Sequence, residues 1–394
     1  NRQSIHNEAV TTNCEIVANH LAYTFVYVFS SRMETMKRMK KLLTGLLTLA
    51  MTVVWFNIDR LGQPEELLPL IRPYFLLQLA SLVFVMLFNS FKQFADGITD
   101  TKTPMYIMIS ANLVNIAGNY ILIYGKFGLP ALGVVGAGIS TLTARILMFV
   151  AFAVLFYRNL RYRRYLVGYK RGKYNFTDIL SLNKMGWMVG LQMGLETALF
   201  SITGIMIGWL GSIALAAHQV MVAISTLGFM IYYGVGAAVS VRVSNYFGRQ
   251  ELLHVRRTTM AGFHLILCLA VCACTVFLFS RELIGYLFTT SEEVIRVVST
   301  LVYILLAYQF GDALQITYAN SLRGIGDVIS MAVISFIGYF LIAMPVCYIC
   351  GFVLEWGITG IWIGYPIGLT LTGVMLCGRD YWKLKTKTQS TEFY

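Results

Sequence analysis

Two acidic residues lie deep within long apolar segments of this 394-residue chain. Glu196 lies in the segment Gly190–Phe200, and Asp312 lies in the segment Tyr308–Gln315. An ionisable side chain at the centre of a membrane costs about 2.5–3.5 kcal/mol on insertion scales, so such residues mark ion or proton pathways. The alternative is a pair of carboxyl groups that pack helices, with neighbouring hydroxyls and amides as partners. We favour a cation or proton site, because two acids are a costly way to pack helices.

Polar and aromatic side chains at helical spacing accompany the two acids. Gln192 precedes Glu196 by one turn, and Tyr308 and Gln315 flank Asp312 on one helical face. Asparagines in the first half follow an i, i+3, i+7 spacing, for which hydrogen bonding between helices is an equal alternative. The residues that we predict to line a cavity are Gln192, Phe229, Tyr232, Tyr308, Gln315, Asn115 and Asn119.

The composition places these residues in a membrane protein. Apolar residues make up 57% of the chain and charged residues 13%, against about 25% charged residues in soluble domains. The mean hydropathy is +0.67. These values exclude a soluble enzyme, a disordered protein and a coiled coil. The net charge of +12 does not indicate a nucleic-acid partner, because such proteins cluster their charge on a polar surface that is scarce here.

Ten segments are long and apolar enough to cross a bilayer as helices, which needs about 20 residues each. An eleventh segment, 9–30, is polar in its first half, and the sequence leaves its status open. The ten predicted spans are 41–57, 72–94, 104–125, 132–157, 186–210, 215–241, 259–279, 295–320, 328–351 and 356–378.

Basic residues predict the orientation of these spans. Of the 31 Lys and Arg residues, 24 fall in alternate connections and at the C-terminus, and five fall on the opposite side. Cytoplasmic loops carry the excess of Lys and Arg. We therefore expect the basic segment around 158–182 and the C-terminus to be cytoplasmic.

An internal repeat divides the chain into two halves. The motif Asp96–Asp100 matches Arg323–Asp327 at an offset of 227 residues, and Gly133–Gly136 matches Gly357–Gly360 at an offset of 224, so a short gap intervenes. Transporters place their substrate path between such repeats. We predict an N-terminal lobe at 1–157, a linker at 158–182 and a six-helix C-terminal lobe at 183–394.

No catalytic motif is present in the sequence. Phosphate-binding loops, HExxH and GxSxG elbows are all absent. We therefore predict no enzyme activity and no cofactor. An ion gradient would have to supply the energy for transport.

Several motifs resemble the multidrug and toxic compound extrusion (MATE) family, in particular its NorM-type branch. In the second half these are Ala216–Gln219, Gly236–Val243, Phe247–Gln250 and Ser321–Gly324. In the first half they are Asn115-Ile116, Tyr120–Gly125 and Leu132–Ala137. The similarity runs from about Lys40 to Trp382.

The resemblance implies an all-α integral membrane protein with two pseudo-symmetric bundles of six helices and a V-shaped central cavity. Ten or eleven of the twelve helices would be present, and we expect the chain to begin partway through a longer protein. Members of this branch exchange Na+ or H+ for organic cations. By position, Glu196 and Asp312 match the two acids of the family's cation site, where Na+ would bind. Gln192 stands where the family usually has proline, and Phe229 stands near where a tyrosine is usual.

We accordingly expect an antiporter that exports cationic amphiphiles, as a monomer in the cytoplasmic (inner) membrane. Its partners would be small organic cations and the lipid bilayer. The alternative is a flippase of lipid-linked precursors with a related fold. Such a cavity needs a basic cluster for a phosphate headgroup, and Arg145 is the one basic candidate inside the spans.

Overall fold

The computed structural model describes residues 68–159, 162 and 176–392. These residues are almost entirely helical and contain no strand. Ten helices, numbered here in chain order, account for them. They are α1 (Leu68–Gly97), α2 (Lys102–Tyr124), α3 (Gly133–Arg158), α4 (Phe176–Gly208), α5 (Ser212–Gly248), α6 (Leu252–Phe279), α7 (Arg281–Phe288), α8 (Glu292–Gly324), α9 (Val328–Val353) and α10 (Gly357–Glu392).

All but the short α7 are long and apolar enough to cross a membrane, so the described residues contain nine candidate spans. They coincide with nine of the ten spans predicted from hydropathy, which confirms those nine and the all-α membrane fold. The predicted span 41–57 and the uncertain segment 9–30 lie outside the described residues.

The helices form two compact units that divide between Trp187 and Met188, within α4. Because α4 begins at Phe176, the last part of the stretch predicted as a linker is helical. The predicted lobe boundaries themselves remain predictions. In the first unit α3 packs against both α1 and α2, and aromatic side chains such as Phe91 and Phe152, whose ring centroids are 5.4 Å apart, form its core.

Helix α8 lies at the centre of the second unit. It packs against α5, α6, α7 and α10, and the whole stretch Gln315–Arg323 is buried. In its second half, from Gly311 to Arg323, α8 is enclosed by neighbouring helices, so polar residues there have no face other than the protein interior. The polar side chains in this half are therefore directed at neighbouring helices, and this positions the candidate site.

Helices α9 and α10 are held at very close distance by small residues. In α10 the residues Gly360, Gly364, Gly368 and Thr372 recur every fourth position and so share one face. A Cβ atom at Gly364 would lie 2.2 Å from Cys347 Sγ of α9, and one at Gly368 would lie 2.3 Å from the Ala343 Cβ. Small residues at such positions let helix backbones approach closely inside a membrane.

Helix α9 is not a regular α-helix. Its segments Ile337–Ala343 and Ile349–Val353 are π-helical. Such segments occur frequently at functional sites, because they change the direction in which side chains point. The first π-helical segment carries Tyr339, which is fully buried and takes part in the site below.

Candidate cation site in the second unit

Asp312 is the centre of the candidate site. It is fully buried in α8, and neither carboxylate oxygen has a hydrogen-bond partner among the described residues. Native proteins rarely leave buried polar atoms without a partner, and each such case calls for an explanation. A bound proton or a bound cation would satisfy these oxygens.

Among the described residues, other unpartnered polar atoms lie one turn before Asp312 on α8 and on the facing helix α5. Within the described part of the chain, both amide atoms of Gln309 and the hydroxyl of Tyr232 also lack hydrogen-bond partners. Tyr232, on α5, is close enough to interact electrostatically with Asp312. A Cβ atom at Gly228 would lie 2.8 Å from Gln309 Oε1, so this glycine makes room for the amide. Carboxylate, amide and hydroxyl oxygens are the ligands that hard cations prefer.

Glu196 belongs to the same cluster but has different partners. It is partly exposed on α4, and Gln192 Nε2 donates a hydrogen bond of 3.2 Å to Glu196 Oε2. Gln315 lies near Glu196 and donates a bond of 2.7 Å to the hydroxyl of Tyr339. Glu196 is close enough to Asp312 for their charges to interact, so the two acids predicted from the sequence lie in one cluster.

Most of the predicted lining residues lie in this cluster. Tyr308 is buried on α8, close enough to both acids to interact with them electrostatically. Gln192, Gln315 and Tyr232 belong to the cluster through the contacts described above. Phe229, one turn before Tyr232, stacks on Tyr233 with ring centroids 5.6 Å apart. Phe229 therefore contributes an apolar wall rather than a ligand.

The predicted asparagines lie in the first unit and bond helices to each other. Asn115 Nδ2 donates to Ser140 Oγ at 3.3 Å, and Asn119 Nδ2 donates to Asn115 Oδ1 at 3.2 Å. The first of these bonds connects α2 with α3, as the alternative of hydrogen bonding between helices predicted, and the second lies within α2. Arg145 also lies in this unit, where it donates a bond of 3.1 Å to Gln78 Oε1.

Sequence reasoning missed Arg323 and Gln309. Arg323 is one of the 24 basic residues that we assigned to the predicted cytoplasmic connections. The structure instead places it in the last turn of α8 with only 7% of its surface exposed. Its Nη2 donates a bond of 3.2 Å to Gln192 Oε1. Gln309, one turn before Asp312, could have been found from the same spacing that identified Gln315.

Two other acids, the buried Asp380 and the partly buried Asp327, differ from Asp312 because they have partners. Asp380 accepts a hydrogen bond of 2.8 Å from Ser321. Asp327, between α8 and α9, accepts a bond of 2.8 Å from Arg379 and one of 2.9 Å from Ser330. Burial acts to raise the pKa of Asp327, but the bonds from Arg379 and Ser330 and the charge of Lys383 outweigh it and lower the pKa. These two acids stabilise the fold rather than offering a binding site.

The MatE family model matches residues 29–121 and 189–349 of the chain. A probable multidrug resistance protein NorM of Photorhabdus laumondii subsp. laumondii is 32% identical over 337 residues, which cover 84% of this chain and 73% of that protein. The multidrug resistance protein NorM of Photobacterium profundum is 32% identical over 364 residues, covering 89% of this chain and 78% of the relative.

Solved structures show the same fold. The Vibrio cholerae MATE transporter VcmN in its bent form has a TM-score of 0.79 at 17% identity, covering 98% of this chain and 89% of that one. The eukaryotic MATE transporter AtDTX14 has a TM-score of 0.77 at 18% identity, covering 96% and 83%.

Proposed function

Since the chain belongs to the MATE family of membrane transporters, we propose that it exports cationic amphiphilic compounds in exchange for Na+ or H+. As a member of this family it is a multi-pass transporter rather than an enzyme, and such transporters need no cofactor. The inner membrane of the cell is the proposed location, because relatives named multidrug resistance proteins match most of the chain.

The observation that supports ion coupling is the buried carboxylate of Asp312. Its oxygens lack partners among the described residues, and a second carboxylate, Glu196, is within electrostatic range. A carboxylate pair in a low-dielectric interior favours the uptake of a positive charge. Na+, a proton and an organic cation can each supply that charge, and they compete for it.

Because the coupling ion and the organic cation compete for one pair of carboxylates, the protein exchanges one for the other across the membrane. Binding of the coupling ion at Glu196 and Asp312 removes the negative charge that holds an organic cation, which is then released. Loss of the ion on the other side of the membrane restores the charge and the affinity for a new substrate. Each ligand thus lowers the affinity for the other, and this linkage is reciprocal.

Efflux from membrane vesicles tests the proposal. A fluorescent cationic dye is loaded, and either a Na+ gradient or a proton gradient is applied to separate the two ions. We expect Glu196→Gln and Asp312→Asn each to reduce gradient-driven efflux at least about tenfold, because each removes a charge from the pair. Glu251→Gln is the matched control, since Glu251 lies outside the cluster beside His254. Undiminished efflux in both site variants would refute the mechanism.

A further inference from the structure

A continuous hydrogen-bonded bridge joins a buried arginine to one of the two site carboxylates. Arg323 Nη2 donates to Gln192 Oε1, and Gln192 Nε2 donates to Glu196 Oε2, each over 3.2 Å. Gln192 is only 2% exposed. Its amide therefore has its oxygen directed at a cation and its nitrogen directed at an anion, which is the favourable orientation for both contacts.

The bridge makes the two carboxylates electrostatically unequal. Arg323 is close enough for its charge to act on Glu196, whereas Asp312 has no hydrogen-bond partner in the described part of the chain. An arginine near the end of a membrane helix is expensive to bury unless it interacts with acidic or carbonyl groups. Arg323 meets this need through Gln192 and through Asn320, whose Oδ1 accepts a bond of 3.3 Å.

The other charged or titratable groups around Glu196 do not replace this contact. Asp312 and Tyr308 face it from α8, and Tyr339 faces it from α9. None of these groups carries a positive charge in either of its protonation states. Among the described residues that act on Glu196, Arg323 is therefore the source of positive charge.

We propose that Arg323, acting through Gln192, is a built-in counter-cation that competes with the transported organic cation for Glu196. Arg323 and Gln192 are positioning residues in this scheme. They hold the carboxylate and weaken its attraction for a ligand, so that a bound cation can leave. The inference rests on the proposed function, because it assigns the competing ligand to the same site.

Equilibrium binding of tetraphenylphosphonium to the purified protein tests the competition, with pH and Na+ held constant. We expect Arg323→Gln to lower the Kd about tenfold, because it removes one nearby opposing charge. Gradient-driven efflux of the same cation should fall, since release slows. Arg323→Lys keeps the positive charge, so its Kd for the cation should stay close to that of the wild type. Arg256→Gln is the control, an exposed arginine that lies over the ring of Tyr381.

A double-mutant cycle tests whether Gln192 transmits the effect. In a Gln192→Leu background, Arg323→Gln should change the Kd by less than it does with Gln192 in place, because the bridge that holds the arginine towards Glu196 is already broken. Arg323→Met, with a neutral side chain of similar length, replaces Arg323→Gln if that variant does not fold.

The outcomes separate the inference from the function on which it rests. Weaker or unchanged binding in folded, charge-neutral Arg323 variants overturns the inference, since a purely structural arginine would give that result. If the wild-type protein neither binds nor exports the cation, the proposed function fails, and the inference fails with it.

Discussion

Asp312 and Asp327 belong to one stretch of chain but have opposite surroundings. Asp312 lies inside the bundle, and no described side chain hydrogen-bonds to it. Asp327 lies beyond the end of α8 and forms an ion pair with Arg379 at 2.8 Å. A buried acid with partners stabilises one conformation, whereas a buried acid without them favours binding a positive charge. This difference in partners, rather than burial itself, distinguishes the candidate site from structural acids.

We expect Asp327→Asn to lower the free energy of unfolding by about 1–2 kcal/mol at neutral pH, because it removes a charged partner of Arg379. The pKa of Asp327 is lowered in the folded state. Its contribution is therefore fully present above the unfolded-state pKa of about 3.9 and is lost as the pH falls through the lower folded-state pKa. Thermal unfolding in detergent should show the variant and wild type converging at strongly acidic pH.

The control for this prediction is Glu292→Gln. Glu292 pairs with Arg296 at 3.7 Å, but both side chains are highly exposed, and such pairs contribute little. A loss of stability as large as that of Asp327→Asn would contradict the role assigned to burial and partners.

Residue types and spacing were sufficient to predict the two acids and most of their neighbours. Glu196 and Asp312 stood out because charge is costly inside an apolar segment, and helical spacing then led to Gln192, Tyr308 and Gln315. Arg323 could not be predicted in the same way, because a basic residue at the end of a span is ordinarily a loop charge. Its burial depends on Gln192, which is distant in the sequence and adjacent only in the folded bundle.

At the scale of elements, hydropathy predicts where the chain crosses the membrane better than where its helices end. The last predicted span ended at 378, whereas α10 continues to Glu392. Hydropathy marks the thickness of the apolar layer, and a helix can continue beyond it into water. The π-helical segments of α9, which hydropathy does not distinguish from α-helix, lie on either side of a short α-helical stretch that contains Pro345 in its first turn, and they pack against α10.

The close contact between α9 and α10 gives a prediction at this scale. We expect Gly364→Ala to lower the free energy of unfolding by about 1–3 kcal/mol, because the added Cβ would overlap Cys347 Sγ and force the helices apart. Gly378→Ala is the matched control in the same helix, since a Cβ there would meet nothing within 4 Å. It should be neutral or should stabilise the helix by up to about 1 kcal/mol.

Thermal unfolding of the two variants, compared with wild type, checks this expectation. Equal effects at Gly364 and Gly378 would show that helix propensity rather than close packing decides the outcome.

At the scale of the whole molecule, the uneven distribution of Lys and Arg predicts the orientation in the membrane. A cysteine at Lys385, on the predicted cytoplasmic side, should react with a membrane-impermeant maleimide only in inverted vesicles. A cysteine at Arg296, which is highly exposed on the opposite side, should react only in right-side-out vesicles. The native cysteines would first be replaced by alanine. The reverse pattern would invert the proposed direction of efflux.

The two halves of the chain also allow the gap in the internal repeat to be located. Helix α2 has 23 residues, whereas its counterpart α9 spans 26 residues and includes both π-helical segments. The connection that follows is longer after α2 than after α9. An insertion within a helix, unlike one in a loop, turns the residues beyond it by about 100° around the helix axis. The second half is therefore shortened in the connection after α9, and a change of length there leaves the helical phase of the site residue Tyr339 untouched.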